Sequence, residues 1–361
     1  MTTAFALDRL TPDHDEEYAR FLDDVSARPG GAGVLGYHTP EYRRMLLGAL
    51  QPGTEDVSFL ARDRRDGRIV AALPGMLKTA GGLACYNSLP FFGPNVGILM
   101  ADADPSSCRA VAELLTTAAI QAAASAGAVT AVFYSGFRPA GGPVENPAFD
   151  AWPVVRIPRA TLFQKLPLSG EPDWPSTRRY DVRKAIQCGV TTKAGVLDDA
   201  EFDRFWGMYG DNCRERDIPA KPKAALKELC RPENAHRVRT YLAFRHEKIV
   251  AGLMMMWSKS TASYYLPCVD PEFTSSQPQP LLIDVACRDA IQSGLQYWNW
   301  ESSPNPESGV YKFKRKWGAT ELGYEIVVVP FVEGRALSEI GRERLAQLFP
   351  FYFVYPYDRL A

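Results

Sequence analysis

Two apolar stretches of this chain read almost alike. Residues 68–76 are RIVAALPGM and residues 248–256 are KIVAGLMMM, 180 positions apart in a chain of 361. Each follows another apolar run, Val57 to Arg62 or Val238 to Arg245, across a short turn, Arg65-Asp66-Gly67 or His246-Glu247. The pattern predicts an antiparallel hairpin at both places. A second pair of strings, Ala119-Ile120-Gln121 and Ala290-Ile291-Gln292, is offset by 171, each in a helical run that leads into an apolar, aromatic-ending strand. The smaller offset implies a shorter loop in the second half, and loops tolerate such changes best. Two anchors in the same order predict a tandem of two like domains.

The remaining pattern fills in both halves. Helices are expected over Asp15 to Ala27 and Pro40 to Leu50, the latter with Thr39 as N-cap, Pro40 in the first turn and the acid Glu41 beside it. Ser106 to Ala126 predicts a long helix and Val129 to Tyr134 a buried strand. From about Ser135 to Trp174 glycine and proline accumulate, which marks the boundary, with a strand expected at Thr161 to Leu166. The second half opens on a basic helix, Arg178 to Ala185, that runs to Cys188-Gly189. Helices at Asp198 to Cys213 and Lys221 to Cys230, a helix at Gln279 to Ser293 and a strand at Tyr297 to Glu301 complete the second half. The expected class is mixed α/β (α+β), with domains over 1–165 and 166–361 and the final helix or tail packing back on the first.

Composition fits two soluble domains: 46% of residues are apolar and 23% charged. A formal net charge of −1 argues against a protein that coats nucleic acid nonspecifically, so any such contact must be a local basic patch. The N-terminus lacks a basic segment followed by an apolar core, and no stretch approaches the ~20 apolar residues of a membrane span. A cytoplasmic monomer is expected. The seven cysteines are scattered, which suggests reduced, mostly buried residues rather than a disulfide framework or zinc site.

Three segments carry a family resemblance: Ser88-Leu89-Pro90-Phe91-Phe92-Gly93, Arg178 to Gly189, and Gly309-Val310-Tyr311-Lys312-Phe313-Lys314-Arg315-Lys316-Trp317-Gly318. With the duplicated order of helices, antiparallel strands, long helix and strand, they resemble the Fem family of tandem-GNAT transferases, in a compact form without a coiled-coil insertion. The resemblance implies transfer of an amino acid from aminoacyl-tRNA to an amine, with no bound cofactor. The best-known members carry an Arg-x-Asp-Pro stretch after the first long helix, where this chain reads Tyr134-Ser135-Gly136-Phe137. The acceptor is therefore left as a peptidoglycan precursor or a small amino compound.

The resemblance points to Lys314 as the cation set against the donor carbonyl or the leaving 3′-oxygen. Read as a strand, residues 311–316 place Tyr311, Phe313 and Arg315 on one face and Lys312, Lys314 and Lys316 on the other, a lysine face suited to tRNA or a diphosphate. Without the resemblance the same run reads first as a solvated strand edge; the resemblance reverses that order. Glu301 and Asp270 are the carboxylates placed to act as base, and either equally fits a turn cap. Arg179 and Arg183 share a helical face as a phosphate clamp or a solvated helix start. Phe91, Phe92 and Asn87 are candidates for the wall of an acceptor groove, and one of Tyr264 and Tyr265 is expected to line an open sheet surface. The coenzyme A alternative needs backbone amides for its pyrophosphate, and residues 271–280 offer three prolines and no glycine. Donor thioesters of coenzyme A or a carrier protein, and a non-catalytic tandem-GNAT binding module, are the competing readings.

Overall fold

A computed structural model describes residues 4–28, 33–90, 97–101, 104–135, 146–303 and 306–356. By its internal contacts the chain divides into two compact units, Met1–Ala160 with Leu322–Ala361, and Thr161–Glu321. Mixed α and β structure fills both.

In the first unit β1 (Phe5–Arg9), α1 (Asp15–Ser26) and α2 (Pro40–Ala49) precede the strands β2 (Thr54–Asp56), β3 (Phe59–Asp63), β4 (Ile69–Leu73), β5 (Met76–Ala80), β6 (Leu83–Asn87) and β7 (Leu99–Met100). The long helix α3 (Pro105–Ser125) and β8 (Ala128–Tyr134) follow, and β9 (Val155–Lys165) crosses into the second unit. Strands β1, β3, β4 and β7 form one sheet in that order. Thr39 caps α2 as the sequence implied, its hydroxyl accepting from the Tyr42 amide.

The second unit contains α4 (Ser176–Gln187), β10 (Thr191–Ala194), α5 (Asp199–Glu215), α6 (Lys223–Leu229), β11 (Val238–Arg245), β12 (Lys248–Trp257) and β13 (Thr261–Val269). It continues through α7 (Pro278–Gln292), β14 (Tyr297–Ser302) and α8 (Gly309–Arg315), and its strands run β10-β11-β12-β13-β14-β9. Its core joins Trp298, Trp300 and Trp317 to Leu282, Ile283, Met255 and Tyr264. The chain closes with β15 (Thr320–Pro330), α9 (Gly334–Ile340) and α10 (Arg342–Leu348).

Both repeat anchors occupy matching elements. Ala119-Ile120-Gln121 lies in α3 before β8, and Ala290-Ile291-Gln292 lies in α7 before β14. β6 pairs in parallel with β8, as β13 does with β14. The repeated nonapeptide is one continuous strand only in its second copy. In the first, Pro74 and Gly75 separate β4 from β5, because proline cannot supply a ladder amide and a Cβ at Gly75 would collide with the Tyr86 hydroxyl.

The division of the chain needs one correction. The sequence reading ran the second domain to the chain end with the final helix or tail packing back on the first; the return begins earlier than that, since β15 pairs antiparallel with β8 through Ile326–Pro330 and residues from Leu322 onward belong to the first unit. The tail is held there by Asn87: its amide nitrogen donates to the Phe353 carbonyl at 2.9 Å and its oxygen accepts from the Phe353 amide at 3.0 Å.

Candidate active site

Two neighbouring strands of the second unit part company. β13 and β14 pair in parallel from Thr261↔Tyr297 to Ser263↔Asn299, and beyond that register β13 runs on to Val269 beside β12 and β14 to Ser302 beside β9 without further pairing to each other. Asn299 sits at the parting point and is fully buried. Its amide nitrogen donates to Ser263 Oγ at 3.1 Å and Glu301 Oε1 at 2.7 Å, while its oxygen accepts from Thr161 Oγ1 at 3.2 Å and the Glu301 amide at 3.0 Å. All four groups of the side-chain amide are thereby satisfied.

Glu301 is bent out of the strand. Its φ of 66° lies in the left-handed region, unfavourable for a side chain of this size and typical of positions held by a functional constraint. The turn aims the carboxylate back toward Asn299 and turns its carbonyl to Lys314, whose Nζ donates to the main-chain oxygens of Glu301 at 3.1 Å and Ser302 at 3.3 Å. Lys314 is only 5% exposed. Burial pushes its ammonium down to about 8, against the attraction of the Glu301 carboxylate.

A second buried lysine of this unit, overlooked in the sequence, feels the charge of the same carboxylate. Lys221 precedes α6, with its amide donating to Tyr209 Oη at 3.2 Å and its carbonyl accepting from Trp206 Nε1 at 3.3 Å. Its Nζ lies 4.4 Å from the centroid of the Tyr265 ring. Burial pushes this ammonium down to about 7, opposed by the nearby Cys213 and Glu301. The available signal was the spelling Pro219-Ala220-Lys221-Pro222, a lone lysine between two prolines, which the sequence reading took as the start of a helix.

The other expected residues separate. Residues 309–315 form helix α8, so the proposed alternation of lysine and aromatic faces fails: Ser308 Oγ accepts from the Tyr311 amide at 3.2 Å and sets a helical repeat instead. Lys312 is exposed and paired with Glu307 at 2.8 Å, and Lys316 is exposed, so the three lysines do not share a face. Phe313 packs edge-on against Trp317, while the Tyr311 hydroxyl donates to Glu321 at 2.5 Å. Tyr264 and Tyr265 are both buried, Tyr264 against Gln279 of α7 and Tyr265 against Lys221 ahead of α6, and the β12–β13 register slips between Met254 and Met255, leaving Tyr265 as an extra residue in a bulge. Asn87 is buried and holds Phe353, so it walls no groove. Phe91 and Phe92 lie outside the described residues. Asp270 caps the 3-10 turn Pro271–Ser276 and pairs with Arg204 at 2.6 Å, a structural role.

On α4, Arg183 is exposed, and Arg179 donates to the Trp174 carbonyl at 3.0 Å while bordering an open cleft of about 800 Å³ lined also by Gln164, Ser176 and Thr320. At α7, Pro278 and Pro280 occupy the first turn and Gln279 is tied by its side chain to Tyr264 Oη at 3.2 Å. Two of the amides that a helix start normally offers are absent there.

Comparison with known proteins places this geometry. Residues 176–314 match the model of the acetyltransferase (GNAT) domain. Among solved structures, FemX superposes with a TM-score of 0.65 at 12% identity, over 93% of this chain and 99% of that one. The chain has the tandem GNAT fold. A tandem GNAT protein from the clavulanic acid biosynthesis pathway gives a TM-score of 0.56 at 13% identity, covering 91% of this chain and 99% of its own. The C-terminal domain of a putative lysylphosphatidylglycerol synthetase from Agrobacterium fabrum gives 0.55 at 14%, covering 93% and 98%. No curated protein sequence matches. In this tandem GNAT chain the matched domain spans α4 to Lys314 and so contains Lys221, Lys314 and Glu301. All seven cysteines are free, and among the described residues no helix is long and apolar enough to cross a membrane.

Proposed function

We propose that the protein is an acyltransferase that takes an aminoacyl group from aminoacyl-tRNA and forms an amide on the amine of a peptidoglycan precursor or a small-molecule acceptor. The fold it shares with FemX and the Fem-like Phe313-Lys314 segment support this reading. The observation that carries the choice of donor is the first turn of α7. Pro278 and Pro280 remove two amide donors where a coenzyme A pyrophosphate would seat, so the helix start makes a poor phosphate cradle.

Acyl transfer needs a cation against the developing oxyanion and a proton for the leaving oxygen. Lys314 fits both tasks: it is buried, fixed by two main-chain carbonyls, and its lowered proton affinity eases proton transfer near neutral pH. Glu301 supplies the counter-charge that keeps the lysine protonated when a donor arrives. Arg179 and Arg183 on α4 serve an anionic part of a substrate.

Transfer from a thioester is the second reading, favoured by the match of residues 176–314 to an acetyltransferase domain and by the likeness to the clavulanic acid pathway protein, whose structure is described as the form without acetyl-CoA. One experiment separates the two. Labelled aminoacyl-tRNA and labelled acetyl-CoA are each supplied with a peptidoglycan precursor and simple diamines, with and without RNase. Label is expected to reach the amine only from tRNA and only without RNase; transfer from acetyl-CoA alone would replace the proposal with the thioester reading.

A further inference from the structure

Asn299 ties three strands together with one side chain. It stands on β14, donates across to Ser263 Oγ of β13 and accepts from Thr161 Oγ1 of β9. Its two other bonds both go to Glu301: the oxygen accepts from the Glu301 amide at 3.0 Å, and the nitrogen donates to the carboxylate at 2.7 Å. These partners fix which end of the side-chain amide is which, since a main-chain N–H can only donate and an ionised carboxylate only accept.

The clamped residue sits on a break in the ladder. Between the pairs Asn299↔Phe163 and Ser302↔Thr161, Trp300 and Glu301 stand against the single residue Leu162, so β14 is bulged where Glu301 takes its left-handed backbone. Successive carbonyls of a regular strand point to opposite edges. Here the neighbouring carbonyls of Glu301 and Ser302 both receive Lys314 Nζ, at 3.1 and 3.3 Å, an arrangement that needs the broken ladder. A glutamate at a φ of 66° is strained, and straightening the strand would relieve it. The paired bonds from Asn299 oppose that relaxation.

We infer that Asn299 is a positioning residue for acyl transfer: by gripping Glu301 at both its amide and its carboxylate, it holds the β14 bulge whose two carbonyls fix the Lys314 ammonium. This rests on the acyl-transfer reading above, in which that ammonium meets the developing oxyanion. Fully buried, Asn299 acts through Glu301 and Lys314 rather than on a substrate. A misplacement of the ammonium by ~1 Å is enough to cost ~10²-fold in rate.

Asn299→Asp makes the grip depend on pH. The aspartate keeps an oxygen for Thr161 and for the Glu301 amide. Ionised, it sets a second carboxylate where the amide nitrogen met Glu301 at 2.7 Å, and the two repel; protonated, its O–H donates to Glu301 as the amide did. Two carboxyl groups this close share a proton, so the aspartate takes one up at a higher pH than a free side chain would.

Two measurements test the assignment. The first needs no donor: crystal structures of Asn299→Ala, and of Asn299→Asp at about pH 5 and about pH 8. Lys314 Nζ is expected to leave the Glu301 and Ser302 carbonyls in Asn299→Ala and in Asn299→Asp at the higher pH, and to regain them in Asn299→Asp at the lower. An ammonium still bonded to both carbonyls in Asn299→Ala, or in Asn299→Asp at the higher pH, overturns the inference. Should Asn299→Ala fail to fold, the two Asn299→Asp structures decide alone. The second is the kinetics of transfer. Asn299→Ala is expected to lower kcat by ~10²-fold with little change in KM, and Asn299→Asp to recover toward wild type as the pH falls. A pH profile of Asn299→Asp parallel to that of wild type would leave Asn299 a packing role and overturn the inference. If Lys314 moves in the crystals as expected while wild-type protein transfers from no donor, the Asn299 grip on Lys314 stands and the acyl-transfer reading alone fails.

Discussion

At the scale of single residues, the site stores its cost in two places: a buried ammonium and a left-handed glutamate. Lys314 loses its proton near pH 8 in the folded chain and near the ~10.4 of a free lysine when unfolded. Between those values the unfolded chain binds more protons, so stability rises with pH across the interval; the contribution is complete above the unfolded value and is lost as pH falls through the folded one. Thermal melting should show wild type gaining on Lys314→Met from about pH 7 to about pH 10. A constant difference across that range would mean that Lys314 titrates as a surface lysine. Glu301 poses the backbone counterpart, since its φ of 66° suits glycine. Glu301→Gly and Glu301→Ala both remove the carboxylate, but only the first relieves the backbone. Chemical denaturation is expected to find Glu301→Gly more stable than Glu301→Ala by ~1 kcal/mol, and equal stabilities would show that the turn carries no strain.

Among the elements, α8 decides where Lys314 sits. This seven-residue helix has Ser308 as its N-cap, with the hydroxyl accepting from the Tyr311 amide. Ser308→Ala should cost ~1 kcal/mol of local stability, and because it loosens the helix that presents Lys314, it should lower kcat more than it raises KM. Transfer kinetics unchanged in Ser308→Ala would show that the lysine is held by its two carbonyl contacts alone. The sequence misled at this helix for a physical reason. Alternating lysine and aromatic residues imitate a strand, and the inward face of the helix carries a lysine beside Trp317, which breaks the apolar period that identifies a helix. Where burial followed apolar character the elements were legible: α2 and its cap, α7 and β11 lie within a residue or two of their expected limits. Lys221 and the bulge at Tyr265 were not, since one depends on a loop fixed by distant hydrogen bonds and the other on a register slip between strands.

For the whole molecule, duplication was readable because two strings recur in order, and the return of the tail to the first unit was expected, but not that the return begins at β15. No apolar period in β15 tells which unit it joins; its partner β8 lies nearly 200 residues earlier, and pairing so distant leaves little local trace. What secures the returning tail is equally nonlocal. The Asn87 side chain exchanges two hydrogen bonds with the main chain of Phe353, and its buried amide would otherwise lack those partners. Removing residues 351–361 should therefore destabilise the first unit by roughly 1–3 kcal/mol, the cost of stranding buried polar groups. Asn87→Ala loses the same pair of bonds, so the two changes act on one interaction and their effects should fall well short of adding. The check is a double-mutant cycle followed by urea unfolding. Non-additivity fits a clamp between Asn87 and the main chain of Phe353; simple additivity would mean that the tail is held by its other contacts and that Asn87 stabilises only β6.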